Sequence, residues 1–142
     1  MSAGKQGPAQ VAINYDDAPG GTLRNMTAYI TSIGEIGVEQ INEKTNPFGQ
    51  AYESNSPVGV QTMAEVPVEG YFDTTASTGP HVVFGTPDTD PNGATRTLTF
   101  SPGDSKLFTV ETRLKSYKVI AQLGQLTKFR AMVTQAGAGA WT

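Results

Sequence analysis

The sequence predicts an all-β fold with one short helix, on three observations. Sixteen glycines and nine prolines, with many threonines and valines, favour strands joined by turns over helical packing. Apolar and polar side chains alternate with period two in most of the ordered-looking stretches. Clusters of Pro, Gly, Asp and Asn fall between those stretches at intervals suited to turns. The longest alternating stretch is residues 58–73. There Val60, Thr62, Ala64, Val66, Val68, Gly70 and Phe72 form the small or apolar set, and Gln61, Met63, Glu65, Glu69 and Tyr71 the mostly polar one. A continuous strand of that length is roughly two to three times the ~17–20 Å of a typical one, so it is either a bent strand of a sandwich or an overhang that needs a partner. Pro67 cannot donate to a ladder, which predicts an edge strand or a break at Pro67.

The other elements follow in order. Residues 10–15 alternate around Val11 and Ile13 and read as a first strand. Pro19, Gly20 and Gly21 then turn the chain, and 26–33, with Tyr29, Thr31 and Ile33 on one face, reads as a second strand antiparallel to the first. Residues 38–45 carry both periods: Val38 and Ile41 suit a helix, while Glu39, Ile41, Glu43 and Thr45 suit a strand face, the favoured reading. Residues 46–57 form a loop of about a dozen positions bounded by Pro47 and Pro57. Loops that long usually bind or pack against something, so Phe48 and Tyr52 either serve a contact or fold back on their own sheet. Residues 74–86 frame a short helix, with Thr78 near the N-cap, Pro80 in the first turn and Gly85 after the end. Residues 87–94 are a solvated connection. Residues 95–101 and 107–120 are strands turned by Pro102, Gly103 and Asp104, the longer with Phe108, Val110, Thr112 and Leu114 on one face. Residues 126–135 close the pattern. The ending AGAGAWT is either a loose tail or an arm that docks on another subunit.

Length suits a single domain over 1–142, with a flexible N-terminal arm at about 1–9 and a Gly/Ala-rich C-terminal arm at about 136–142. There is no cysteine, so neither disulfides nor thiolate metal ligands are in play. No apolar run approaches the ~20 residues of a membrane span, and the first ten residues lack the apolar core of a signal peptide, so no membrane partner is expected. The net charge of −3 is unevenly placed. Residues 1–73 carry nine carboxylates against three basic side chains, and residues 74–142 carry seven basic against four acidic. Either early strands lie beside late ones within one chain, or one subunit's face steers to its neighbour's.

Catalysis has little support in the residues. His81 is the only histidine, and no nucleophile elbow, phosphate loop or histidine-based metal spacing occurs. Asp16 and Asp17 sit before a Pro-Gly turn and read as turn chemistry. Asp88, Asp90, Asn92 and Gly93 match the opening of a calcium loop, but the closing glutamate is replaced by Thr99. No catalytic residue, cofactor or metal is expected, and the chain is not expected to be an enzyme.

Several blocks in a fixed order carry a more specific signal. Residues 29–73 read YITSIGEIGVEQINEKTNPFGQAYESNSPVGVQTMAEVPVEGYFD, residues 78–85 TGPHVVFG, and residues 125–129 QLTKF. Together they resemble the tail tube proteins of long-tailed, siphovirus-like bacteriophages, over about residues 11–133. The resemblance implies a β-sandwich or barrel whose overhanging strands join across neighbours into one barrel around a lumen. It also implies hexameric rings stacked into a virion tail tube for genome delivery, made in the host cytoplasm, with tape measure and tail terminator proteins as further partners. By the same resemblance, Glu39, Glu43, Glu65 and Glu69 are lumen-facing candidates, and Asn46, Pro47, Phe48 and Tyr52 are ring-stacking candidates. A DNA conduit must not hold DNA, since each phosphate contact adds affinity, and acidic walls satisfy that need. The alternative is a monomeric β-sandwich binding module for a carbohydrate or protein ligand.

Overall fold

The computed structural model describes residues 4–142. Its strands are β1 (Ala12–Asp16), β2 (Leu23–Asn25), β3 (Ile30–Ile33), β4 (Glu39–Lys44), β5 (Asn55–Thr62), β6 (Val66–Tyr71), β7 (Arg96–Gly103), β8 (Lys106–Ile120) and β9 (Lys128–Trp141). A helix, α1 (Pro80–Phe84), lies between β6 and β7, and a 3-10 turn at Pro8–Gln10 precedes β1. The expected all-β fold with a short helix is what forms. Seven strands make one sheet in the order β2-β1-β7-β8-β9-β6-β3, and β4 and β5 pair as a separate two-stranded sheet. All pairings are antiparallel.

The meander β7-β8-β9 is the centre of the large sheet. Asp104 and Ser105 both take positive φ, 52° and 59°, between β7 and β8. That left-handed pair matches the twist of the flanking strands, and a short polar side chain such as Asp tolerates it. On β8 the alternation buries Phe108, Val110, Thr112 and Leu114, the face read from the sequence. These pack with Tyr15, Val66, Val68, Leu98, Phe129, Ala131 and Val133 in one core. Phe84 of α1 caps it, stacked 5.2 Å from the Tyr15 ring and 5.5 Å from Phe129. Each such side chain contributes about 1.5–3 kcal/mol when fully buried.

Four features differ from the sequence reading. The stretch 58–73 is two strands, because the chain leaves extended pairing at Met63–Glu65 and joins a different sheet. Parity flips there: Met63 is buried and Val58 and Val60 are exposed, whereas Val66, Val68 and Gly70 point inward from β6. Second, Pro67 marks neither an edge nor the break. It lies inside β6, opposite Met132 of β9, and its missing N–H faces the point where β3 ends, with the Gly34 N–H donating to its carbonyl at 2.9 Å. A Cβ on Gly34 would meet the Pro67 ring at 2.5 Å, so glycine is what lets the chain pass. Third, 26–33 does not pair with the first strand. Leu23–Asn25 does, while Ile30–Ile33 crosses to the far edge beside β6; alternation specifies a strand but not its partner. Fourth, residues 136–141, expected as an arm, extend β9 along β8 as far as the Trp141–Phe108 pair. Of the N-terminal arm, residues 1–3 lie outside the described residues.

The helix begins at Pro80 as expected, although its N-cap is Gly79 and not Thr78, and Gly85 closes it in a right-handed conformation. α1 is too short to hold itself. What fixes it is Arg96, fully buried at the start of β7. Its guanidinium donates to the Val83 carbonyl at 2.7 Å, the Thr86 carbonyl at 2.7 Å and the Asp88 carboxylate at 2.9 Å. The second Asp88 oxygen accepts the Leu114 N–H at 2.8 Å, which ties the loop after α1 to β8.

Candidate assembly surface

The β4–β5 hairpin leaves apolar side chains and strand edges without partners among the described residues. Every residue of β4 is exposed, and so is every residue of β5 except Gln61. Ile41, Val58 and Val60 are 43–53% exposed. A two-stranded ribbon is marginal by itself in water, and this one has a free edge on each side. It is joined to the body at Val38, which packs on the core, and through Gln61. The Gln61 carboxamide accepts the Gly139 N–H and donates to the Gly139 carbonyl, both at 3.3 Å.

The predicted loop is shorter than 46–57, because β5 already begins at Asn55 and Pro57 pairs opposite Asn42. Its base is closed by hydrogen bonds. The Thr45 N–H donates to the Ser54 carbonyl at 2.9 Å, the Asn46 side chain accepts the Ser54 N–H at 2.6 Å, and Lys44 pairs with Glu53 at 2.6 Å. Asn46 is therefore a loop closure, and Pro47 begins the tip. Phe48 is 109% exposed and Tyr52 73%, so neither folds back on its own sheet.

The four glutamates divide into two pairs. Glu39 and Glu43 lie on β4, opposite Thr62 and Ser56, and make no ion pair among the described residues. Glu65 is ion-paired with Lys115 of β8, and Glu69 approaches Arg130 of β9 at 3.6 Å. Early carboxylates thus sit beside late bases within one chain, which accounts for part of the charge asymmetry between the two halves.

Several of the other acidic residues are engaged in holding the fold. Asp16 accepts the Thr97 N–H at 2.9 Å. Burial opposes ionisation of Asp17, yet the Thr22 N–H and the Arg24 guanidinium outweigh it and hold its carboxyl below the usual range. Asp88 is taken up by Arg96, and Asp90 accepts the Asn92 N–H. Among the described residues no three His, Asp or Glu side chains are grouped to hold a metal ion. His81 lies beside Phe72 and within 3.3 Å of the Tyr117 hydroxyl. Burial pushes the Tyr15 phenol up to about 12 and raises Tyr117. Arg96 is the residue that sequence reasoning missed. The available signal was an arginine opening a strand, eight residues after an aspartate in an otherwise solvated turn.

The fold is shared with chains of solved assemblies. One, in the tail of an empty gene transfer agent particle refined helically with C6 symmetry, is 14% identical with a TM-score of 0.68, covering 97% of this chain and 99% of that one. A chain in the virion of the native gene transfer agent particle is 13% identical with a TM-score of 0.64, at the same coverage of each. A chain in the sheath–tube complex of an extracellular contractile injection system in its extended state is 8% identical with a TM-score of 0.62, covering 94% of this chain and 88% of that one. No family model matches the chain, and no curated protein matches it.

Proposed function

We infer that this chain is a tail tube subunit of a phage-like particle, a structural and not a catalytic protein. Its copies close into hexameric rings, the rings stack into a tube in the virion tail, and the genome leaves through the lumen. The observation that carries this reading is the β4–β5 hairpin. It leaves apolar side chains and strand edges without partners in the subunit, and a closed ring of neighbours supplies both. The fold shared with chains of assembled tails and tubes supports it. In this reading Phe48 and Tyr52, at the hairpin tip, contact the next ring. Glu39 and Glu43 give the lumen its repulsion toward phosphate, while Glu65 and Glu69, already partnered by Lys115 and Arg130, contribute less. A tape measure protein in the lumen and a terminator protein at the end complete the tail, whose subunits are made in the host cytoplasm.

Electron microscopy of the purified protein at increasing concentration tests the reading. Six-fold rings and hollow tubes are expected. A protein that stays monomeric at every concentration, and that does not lengthen pre-formed tail tubes, would instead favour the monomeric binding module.

A further inference from the structure

The connection between α1 and β7 contains the one Asn-Gly step of the chain, Asn92-Gly93. Asparagine before glycine is the arrangement most open to attack on the side-chain amide by the next backbone nitrogen, because glycine puts no side chain in the way. Asp90, Pro91, Asn92 and Gly93 follow one another in the order a β-turn prefers. The turn is closed by the Gly93 N–H, which donates to the Asp90 carbonyl at 3.1 Å, and by the Asn92 N–H, which donates to the Asp90 carboxylate at 2.9 Å. A side chain at 93 has little room: a Cβ there would stand 3.2 Å from the Asp90 Cβ and 3.3 Å from its carbonyl oxygen. The turn thus selects the glycine that exposes Asn92 to attack. Arg113 of β8 holds the turn from outside. Its guanidinium donates to the Gly93 carbonyl at 2.8 Å and approaches those of Ala94 and Asp90 at 3.4 and 3.5 Å. The calcium-loop-like run at 88–93 is therefore closed on a cation of the chain itself, while the Asn92 side chain stays exposed to water.

We propose that Asn92 is a site of spontaneous deamidation, and that the Arg113 guanidinium restrains the reaction by clamping the turn. The Gly93 nitrogen gives up its proton to solvent base and attacks Cγ of Asn92. A bond forms between that nitrogen and Cγ, the bond from Cγ to the side-chain nitrogen breaks, and ammonia leaves with a proton returned from solvent. The resulting cyclic imide takes up water at either carbonyl. Opening at Cγ leaves an aspartate; opening at the backbone carbonyl leaves an isoaspartate, with an extra methylene in the main chain. The sum is water in and ammonia out, and no oxidant or reductant enters. In the closed turn the reacting N–H is occupied by the Asp90 carbonyl, and the carbonyls on either side of it are tied to Arg113. The reaction therefore waits on opening of the turn, whose cost the guanidinium raises. Its positive charge acts in the opposite sense by favouring loss of the Gly93 proton, but this solvated site screens it. The product adds a negative charge close to Arg113, and the isoaspartate form lengthens the turn so that its carbonyls lose register with the guanidinium fork.

This inference is independent of the tube reading. The full chain is incubated in mildly alkaline buffer, folded and, in parallel, unfolded in urea. Isoaspartate is followed by enzymatic methyl labelling, and the modified position is located by mass spectrometry of the peptide that contains residue 92. Label is expected at residue 92, and Asn92→Ser should remove it. The folded chain should react at least roughly tenfold more slowly than the unfolded one, and Arg113→Ala should recover roughly tenfold of that difference, as for the loss of a hydrogen bond to a charged group. Circular dichroism shows that the variant is folded. Arg113→Lys keeps the charge but not the fork, so it should also react faster than the native chain. A native chain modified as fast in the fold as in urea overturns the proposal. So does a folded Arg113→Ala or Arg113→Lys chain that reacts at the native rate, or label that persists in Asn92→Ser.

Discussion

The seven-stranded sheet and the β4–β5 hairpin are written in the same alternation of apolar and polar residues, yet only the sheet has something to bury its apolar side against. Val66 and Val68 of β6 are almost wholly inaccessible, while Val58 and Val60, a few residues earlier on the same stretch, are about half exposed. The three residues Met63–Glu65 make that difference by moving the chain from one sheet to the other. In the proposed tube, stability is carried by the sheet and stacking by the hairpin, and changes can be made in either to see whether the other responds.

The largest effect on the sheet is expected from Arg96→Ala. It strands the Asp88 carboxylate in a buried place and frees the carbonyls of Val83 and Thr86, a loss of about 3–5 kcal/mol for a broken buried pair. Urea unfolding should show the loss, and a change within 1 kcal/mol would mean that α1 is held by packing alone. Next comes alkaline pH. The Tyr15 phenol titrates at about 12 in the fold and near its ordinary value of 10 in the unfolded chain, so its contribution is complete below pH 10 and fades as pH rises toward 12. That loss amounts to about 2–3 kcal/mol. A stability that is flat from pH 9.5 to 11.5 would contradict the assignment.

Changes in the hairpin should leave the sheet alone. Replacing residues 46–53 by a tight turn removes Phe48 and Tyr52 and should alter unfolding by less than about 0.5 kcal/mol, as for surface positions generally. Rings should form but not stack. Unimpaired tubes seen by microscopy would take the tip out of the stacking contact. Outside the hairpin, Glu65→Lys with Glu69→Lys disrupts two exposed pairs worth roughly 0–1 kcal/mol each. Its reading is functional: tubes so altered should retain DNA at low salt and release it at high salt. Equal retention by native and altered tubes would show that these two side chains do not face the passage.

How much of this was legible follows from what each side chain can signal. Phe108, Val110, Thr112 and Leu114 announce a buried face because bulk recurs every second residue. Pro80 announces a helix start because its ring fixes φ where no N–H is needed. The exposure of Phe48 and Tyr52 was left open by the sequence, since an aromatic in a long loop is equally consistent with folding back. Residues 136–141 hid their strand because glycine and alanine carry almost no pattern, and it is backbone pairing with β8 that makes them extended. The two roles of the glutamates were invisible for another reason. The partners of Glu65 and Glu69 lie 50 and 61 positions along the chain, and no local pattern encodes a contact at that separation.

The strand order has a consequence for how a subunit comes into being. The strands that flank the central meander, β1 and β2 on one side and β6 and β3 on the other, are all synthesised before it. A chain leaving the ribosome cannot place β1 until β7 has emerged, nor β6 until β9 has. Contacts of such long sequence separation form late and together. A chain cut short before the meander thus lacks the scaffold for every flanking strand, and in the proposed tube such fragments have no sheet with which to join a growing end and stop it.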